Sequence, residues 1–285
     1  MILYYNGEYV SGEDLRISPF DHGFLYGLGL FETFRVYKKH PFLLDDHLNR
    51  LRRSLEECHI QWDMTNSEIF DVLQELLDRN NLQNAYIRLN VSAGVGQIGL
   101  QTEPYSKPNT IFFIKEMPET SIDEKIGVLL STPRNTPEGN VRLKSHHYLN
   151  NVIGKREVGN SALKEGLFLT KEGYLAEGVV SNLFFLKGDK LYTPSLHTGV
   201  LNGVTRQFVL NWCTLNKVRC EEGLYTVDDL LSSDEVFVTN SIQEIVPISS
   251  IDNVHFKGKS GGFIKNLQLA YKSYTSKLFS ISELK

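Results

Sequence analysis

The chain has 285 residues, of which 41% are hydrophobic and 22% charged, with a net charge of −4. That length can bury a large core, more readily as two modest domains than as one, and the composition excludes a disordered or fibrous protein. Charges of both signs are interspersed along the chain, so nothing resembles a basic footprint for nucleic acid.

The opening "MILYY" and "YVSG" flank Asn6-Gly7 and predict a hairpin. "FETFRVYKKHPFLL" predicts a second pair turning near Lys38 to Pro41. In "DDHLNRLRRSLEEC" the apolar residues Leu48, Leu51, Leu55 and Cys58 follow helical spacing, and "SEIFDVLQELLDRN" predicts another helix after the capping residues Thr65 and Asn66. "AYIRLNVSAG" and "TIFFIKE" read as strands. "EMPETSIDEK" is polar, holds a proline and lacks periodicity, which marks a linker at 117–124 between a smaller α+β domain, 1–116, and a larger strand-rich one, 125–285. There "IGVLLST", "GLFLTKEGYLAEG" and "NLFFLKGDKLYT" predict strands. Helices are expected after Lys144, after Thr205, at Thr226 with Asp229 as a weak capping box, and over "GGFIKNLQLAYKSYTSKLF".

Several motifs invite functional readings. "GVGQIG", Gly94 to Gly99, matches a dinucleotide fingerprint, but no helical pattern follows it; a mobile glycine-rich loop is expected instead. His146 and His147 are adjacent and point to opposite sides of an extended segment, so no metal site is expected. Three cysteines, Cys58, Cys213 and Cys220, lack metal-ligand spacing and suggest reduced thiols in a cytoplasmic protein; neither a signal peptide nor a membrane span is predicted. Lys144 stands in "RLKSHHYLNN" among neutral hydrogen-bonding groups and Arg142. A lysine acts as nucleophile or base only when burial or a neighbouring cation lowers its pKa. These neighbours could supply that, and a solvated surface amine remains the other reading.

The segments "SPFDHGFLYGLGLFETFRVY", "HLNRL", "RLKSHHYLNN", "AEGVVSNLFF", "GVLNGVTRQF" and "VTNSIQEIVPI" resemble, in that order, the motifs of the fold-type IV pyridoxal-phosphate enzymes. The resemblance implies an α+β fold with a pseudo-barrel C-terminal domain and flanking helices, and pyridoxal 5′-phosphate as cofactor. It implies that Lys144 holds the cofactor covalently and shuttles protons, and that Glu177 pairs with the pyridine nitrogen, with Ser181 and Asn182 lining the same site. Arg50, the backbone of Val204 and Thr205 at a helix start, the Thr205 hydroxyl and Ser241 would bind the phosphate. Tyr148 would reach the ring's phenolic oxygen.

Within that family, "SPFDHGFLYGLGLFETFR" and "RLKSHHYLNN" are most similar to the branch that cleaves 4-amino-4-deoxychorismate to 4-aminobenzoate and pyruvate. That implies a proton-relaying hydroxyl at Thr33, substrate carboxylates met by Arg88 or Arg142, and a homodimer that engages neither nucleic acid nor membrane. An aminotransferase for branched-chain or D-amino acids is the alternative.

Overall fold

Alternating apolar and polar residues bounded by tight turns build the first half of the chain. In the computed structural model, which describes residues 1–117 and 122–285, β1 (Ile2–Tyr5) and β2 (Glu8–Ser11) pair antiparallel across Asn6-Gly7, both at positive φ. A short helix α1 (His22–Tyr26), capped by Asp21, leads into β3 (Gly29–Tyr37). β3 turns through Lys38 and Lys39, again at positive φ, into β4 (His40–Pro41). Two helices follow, α2 (Leu44–Glu57) and α3 (Asn66–Arg79), the latter with a full capping box between Thr65 and Glu68. With β5 (Ala85–Ser92) and β6 (Asn109–Glu116) the strands form one six-stranded sheet in the order β2-β1-β6-β5-β3-β4. One face of β3 and β5 (Leu30, Phe34, Val36, Ile87, Leu89) packs on Leu48, Leu51 and Leu55 of α2 and on α3.

The second half is a closed ring of strands. It comprises β7 (Lys125–Leu129), helix α4 (Leu149–Val158), β8 (Lys164–Leu169), β9 (Leu175–Gly178), β10 (Asn182–Lys187), β11 (Lys190–Pro194) and helix α5 (Val204–Leu215). Then come β12 (Arg219–Gly223), helix α6 (Val227–Leu231), β13 (Glu235–Asn240), β14 (Glu244–Ile251), β15 (Val254–His255) and helix α7 (Gly262–Tyr274). Strands β10, β13, β14, β7, β8 and β9 pair in sequence, and β9 returns to β10 through Glu177 and Asn182. This is the expected pseudo-barrel, and its closing pair carries two of the expected site residues. α4 lies close on β8 because Gly154 faces Phe168 with no room for a side chain.

The compact units are 1–118 with 143–147 and 275–283, and 119–142 with 148–274 and 284–285. Two expectations therefore change. Lys144 belongs with the first unit, not with the larger C-terminal domain, because Leu143–His147 runs beside β3: Phe31 N donates to Lys144 O at 2.9 Å and His146 N to Gly29 O at 2.9 Å. The terminal helix also stops at Tyr274 rather than near Phe279, since the chain beyond it satisfies the start of α2, with Leu43 N on Leu278 O and Asp45 N on Phe279 O. The expected linker at 117–124 falls largely on 118–121, outside the described residues. Among the described residues no helix is long and apolar enough to cross a membrane.

Candidate active site

Strand period places the first group of residues. On β3, Phe31 and Thr33 point away from the α2 side, and in the β3–β5 register Phe31 faces Asn90 and Thr33 faces Arg88, so these four side chains share one face of the sheet. Lys144 joins them: its Nζ lies 4.4 Å from the centre of the Phe31 ring, and the Arg88 guanidinium carbon lies 3.7 Å from that centre. Two cations thus rest on one aromatic ring. His146 reaches Asn90 Oδ1 at 2.9 Å; burial, with the Arg88 charge next, pushes its imidazole down to about 4, so it is neutral near pH 7. A cavity of about 350 Å³ adjoins it, lined by Ser18, Asp21, Phe24, Asn90 and Ser92. The glycine-rich segment opens no helix, as expected. It is tethered rather than loose, with His22 Nε2 on Gln97 O at 2.8 Å and Gly99 N on the Tyr26 hydroxyl at 2.6 Å.

The other face of β3 holds residues that the sequence reading missed. Glu32 falls in an otherwise apolar row and is fully buried against α2, where His47 and Arg50, three residues apart, present their side chains to it. Arg50 donates from Nε to Oε1 at 2.7 Å and from NH2 to Oε2 at 2.6 Å, and His47 Nδ1 donates to Oε2 at 2.7 Å. Burial alone would raise the Glu32 carboxyl, but the Arg50 charge and the two partners' hydrogen bonds overcome it and hold it at about 2. Burial holds His47 below its ordinary value, so it donates as a neutral ring. Glu32 therefore fixes the direction of the Arg50 guanidinium.

A pH dependence follows. The folded Glu32 value lies below its ordinary 4.5, so its contribution to stability is complete above that pH and is lost as pH falls towards about 2. Denaturant melts from pH 6 downwards should show the wild type losing about 3 kcal/mol relative to Glu32→Gln across this window. A difference that is flat with pH would mean that folded Glu32 titrates at its ordinary value.

In the second unit the sheet closure builds a seat for one carboxylate. Glu177 is buried, and its Oε1 accepts from Arg134 Nε at 2.8 Å while Oε2 accepts from Leu201 N at 3.0 Å and from Asn182 Nδ2 at 3.5 Å. Arg134 also donates to Asn150 and Asn151 and lies over the Phe168 ring. No periodic signal marks Arg134 in "TPRNTP". The guanidinium of Arg142, expected to meet substrate, donates to the Gly199 and Asn135 carbonyls and stands 3.7 Å from Glu177. Burial and then Arg134 push it down to about 10. The Ser181 hydroxyl donates to Glu165 Oε1 at 2.7 Å.

Val204 and Thr205 open α5, whose N-cap is Gly203; among the described residues no side chain caps it. The Thr205 and Ser241 hydroxyls lie 3.3 Å apart, although 36 residues separate them in sequence. Tyr148 stands at the N-cap of α4. The structure thus gathers Lys144, Thr33 and Arg88 on one face, and separately Glu177 with Asn182 and Thr205 with Ser241. Among the described residues no group of three or more His, Cys, Asp or Glu could hold a metal.

The amino-transferase class IV family model matches residues 29–251, which include every residue named in these clusters. The chain belongs to the amino-transferase class IV family. A class IV relative, the aminodeoxychorismate lyase of Bacillus subtilis (strain 168), is 46% identical over 274 residues, covering 95% of this chain and 94% of that protein. Among solved class IV structures, the branched-chain amino acid aminotransferase of Escherichia coli superposes with a TM-score of 0.87 at 25% identity, covering 99% of this chain and 97% of that one. The T.th. branched-chain amino acid aminotransferase, complexed with N-(5′-phosphopyridoxyl)-L-glutamate, has a TM-score of 0.86 at 26% identity, covering 96% and 94%.

Proposed function

We propose that the chain is a pyridoxal 5′-phosphate-dependent lyase that converts 4-amino-4-deoxychorismate to 4-aminobenzoate, a folate precursor, and pyruvate. The observation that carries this reading is the 46% identity to the Bacillus subtilis lyase across 95% of the chain. Lys144, Thr33 and Arg88 on one sheet face supply groups that such a reaction needs.

The residues fit the cofactor. A pyridinium nitrogen calls for a carboxylate partner, and Glu177 is a buried carboxyl held by Arg134 and a backbone N–H. A phosphate calls for convergent donors. Within the second unit the N-terminus of α5 and the Thr205 and Ser241 hydroxyls are such donors, and Arg50 is assigned to the phosphate by the family resemblance alone. The Thr239 hydroxyl, directly across from Asn182, is buried with no hydrogen-bond partner among the described residues, as a ligand-facing group would be. Tyr148 is assigned to the ring's phenolic oxygen.

When bound, the cofactor supplies an electron sink for the carbon that bears the substrate amine. Lys144 would hold the cofactor, and its amine would take the proton from that carbon. The Thr33 hydroxyl would relay the proton taken up by Lys144 to the departing enolpyruvyl group, regaining one as it gives one, so that pyruvate leaves while the ring becomes aromatic. Arg88 binds one of the two substrate carboxylates, and Asn182 and Arg134 keep Glu177 oriented.

The test is to incubate the purified chain with 4-amino-4-deoxychorismate and follow 4-aminobenzoate and pyruvate together. Equimolar formation of both is expected, and formation of neither would refute the reading. The fold's match to branched-chain aminotransferases favours a second activity, read in parallel with a branched-chain or D-amino acid and 2-oxoglutarate.

Glu177→Gln should keep cofactor affinity within about tenfold while slowing turnover by about 10²-fold, because it weakens ring protonation more than contact. Normal turnover in that variant would mean that the pyridine partner has been misassigned. The reading extends to a cytoplasmic homodimer. Phe24, Ile98 and Leu100 leave large apolar side chains exposed in the first unit, which supports an apolar interface. Light scattering should give about twice the 32.5 kDa chain mass, and a monomer at micromolar concentration would contradict it.

A further inference from the structure

The second unit holds a buried ion pair that the reaction does not use. Lys125, at the start of β7, and Glu165, on β8, are both buried, with Nζ 2.6 Å from Oε2. A lone buried pair is seldom a net source of stability, because desolvation offsets the attraction. This pair is not isolated. Lys125 Nζ also donates to Gln243 Oε1 at 2.8 Å, and Glu165 Oε1 accepts from the Ser181 hydroxyl at 2.7 Å. Lys125, Glu165 and Gln243 line a cavity of about 400 Å³ whose wall also includes Tyr148, Val179 and Val180.

Each end of this network meets a segment assigned to the cofactor. Ser181 precedes Asn182, the residue that closes the barrel against Glu177 and donates to the Leu201 carbonyl at 2.7 Å. Gln243 ends the turn between β13 and β14. In that turn Asn240 Oδ1 accepts from the Ile242 and Gln243 amides at 2.9 and 2.7 Å, and Ser241 lies between, with its hydroxyl 3.3 Å from Thr205 Oγ1. Asn240 therefore fixes the backbone of the turn from within, and Lys125 fixes its far end from outside.

Resting on the functional reading above, we propose that Lys125 is a positioning residue: through Gln243 and through Glu165–Ser181 it holds the Ser241 turn in register with the Glu177–Asn182 seam, so that the phosphate donors stand at the right separation from the pyridine partner. A rigid spacing of this kind acts on phosphate binding without touching the ligand. It should appear as a loss specific to the phosphate rather than a general loss of affinity.

The full chain, freed of cofactor, is titrated with pyridoxal 5′-phosphate and, separately, with pyridoxal, which lacks the phosphate. Lys125→Met and Gln243→Leu should each weaken pyridoxal 5′-phosphate binding by about tenfold or more, the scale seen for outer partners of metal ligands, and leave pyridoxal binding within about threefold. Gln243→Glu keeps an acceptor for Lys125 and should restore the wild-type ratio. Gln243→Leu leaves the buried pair intact, so the test stands even where Lys125→Met fails to fold. Equal loss for both ligands would show a merely structural role, and an unchanged ratio in folded variants would likewise overturn the proposal. Wild-type chain that takes up no pyridoxal 5′-phosphate would overturn the functional reading and this proposal with it.

Discussion

Lys144→Ala should abolish turnover, by about 10⁴-fold or more, while the protein still binds pyridoxal 5′-phosphate. Both halves of this result follow from where the residues stand. In the proposed reaction the amine serves twice, as the group that holds the cofactor and as the base, so one truncation removes two functions. The proposed phosphate donors Thr205, Ser241 and the α5 N-terminus belong to a unit that Lys144 is not part of, so they survive its loss. The variant should also fold, because the segment around Lys144 is held to β3 by backbone bonds from Phe31 and to Gly29 that the substitution leaves in place. Cofactor titration by absorbance together with a turnover assay checks both halves. Residual activity within tenfold of wild type would mean that another group is the base.

Thr33→Ala should lower lyase turnover by about 10²-fold, the usual scale for a positioned proton donor. Thr33 stands opposite Arg88 on the β3–β5 ladder and two residues from Phe31, against which Lys144 rests. A hydroxyl there is on the same face as the base and the substrate-carboxylate arginine. Lyase and aminotransferase chemistry share removal of the first proton, and only the lyase must then protonate an enol ether. Cofactor binding should therefore be nearly unchanged in Thr33→Ala, and any transamination should persist or rise. Thr33→Ser keeps the hydroxyl, loses a methyl group and should retain much of the activity. Equal loss of both activities, with Thr33→Ser no better than Thr33→Ala, would make Thr33 a packing residue.

Local structure was readable where its cause is local. Asn6-Gly7 permits the positive φ of a two-residue hairpin, and Leu48, Leu51 and Leu55 repeat at helical spacing. What escaped depends on residues far apart in sequence. Glu32 breaks an apolar strand row for a reason visible only once His47 and Arg50 are folded over it. Arg134 reaches Glu177 across 43 positions and Lys125 reaches Gln243 across 118, and no spacing rule links such pairs. The strands β13 and β14 lay inside a recognised motif yet went unread as strands. Their burial is nearly continuous (Glu235–Thr239, then Ile245–Ile248), so no alternation announces them. Lys144 shows the limit most clearly. Its neighbours in sequence left two readings open, the family resemblance chose between them, and the fold placed it on β3 rather than with the domain that follows it.

The most direct test of the account is to reduce the purified, cofactor-loaded protein with borohydride and map the modified peptide. The account predicts a single phosphopyridoxyl label on Lys144, within "RLKSHHYLNN", and loss of activity in proportion to labelling. A label on any other lysine, or none at all with activity intact, would contradict it.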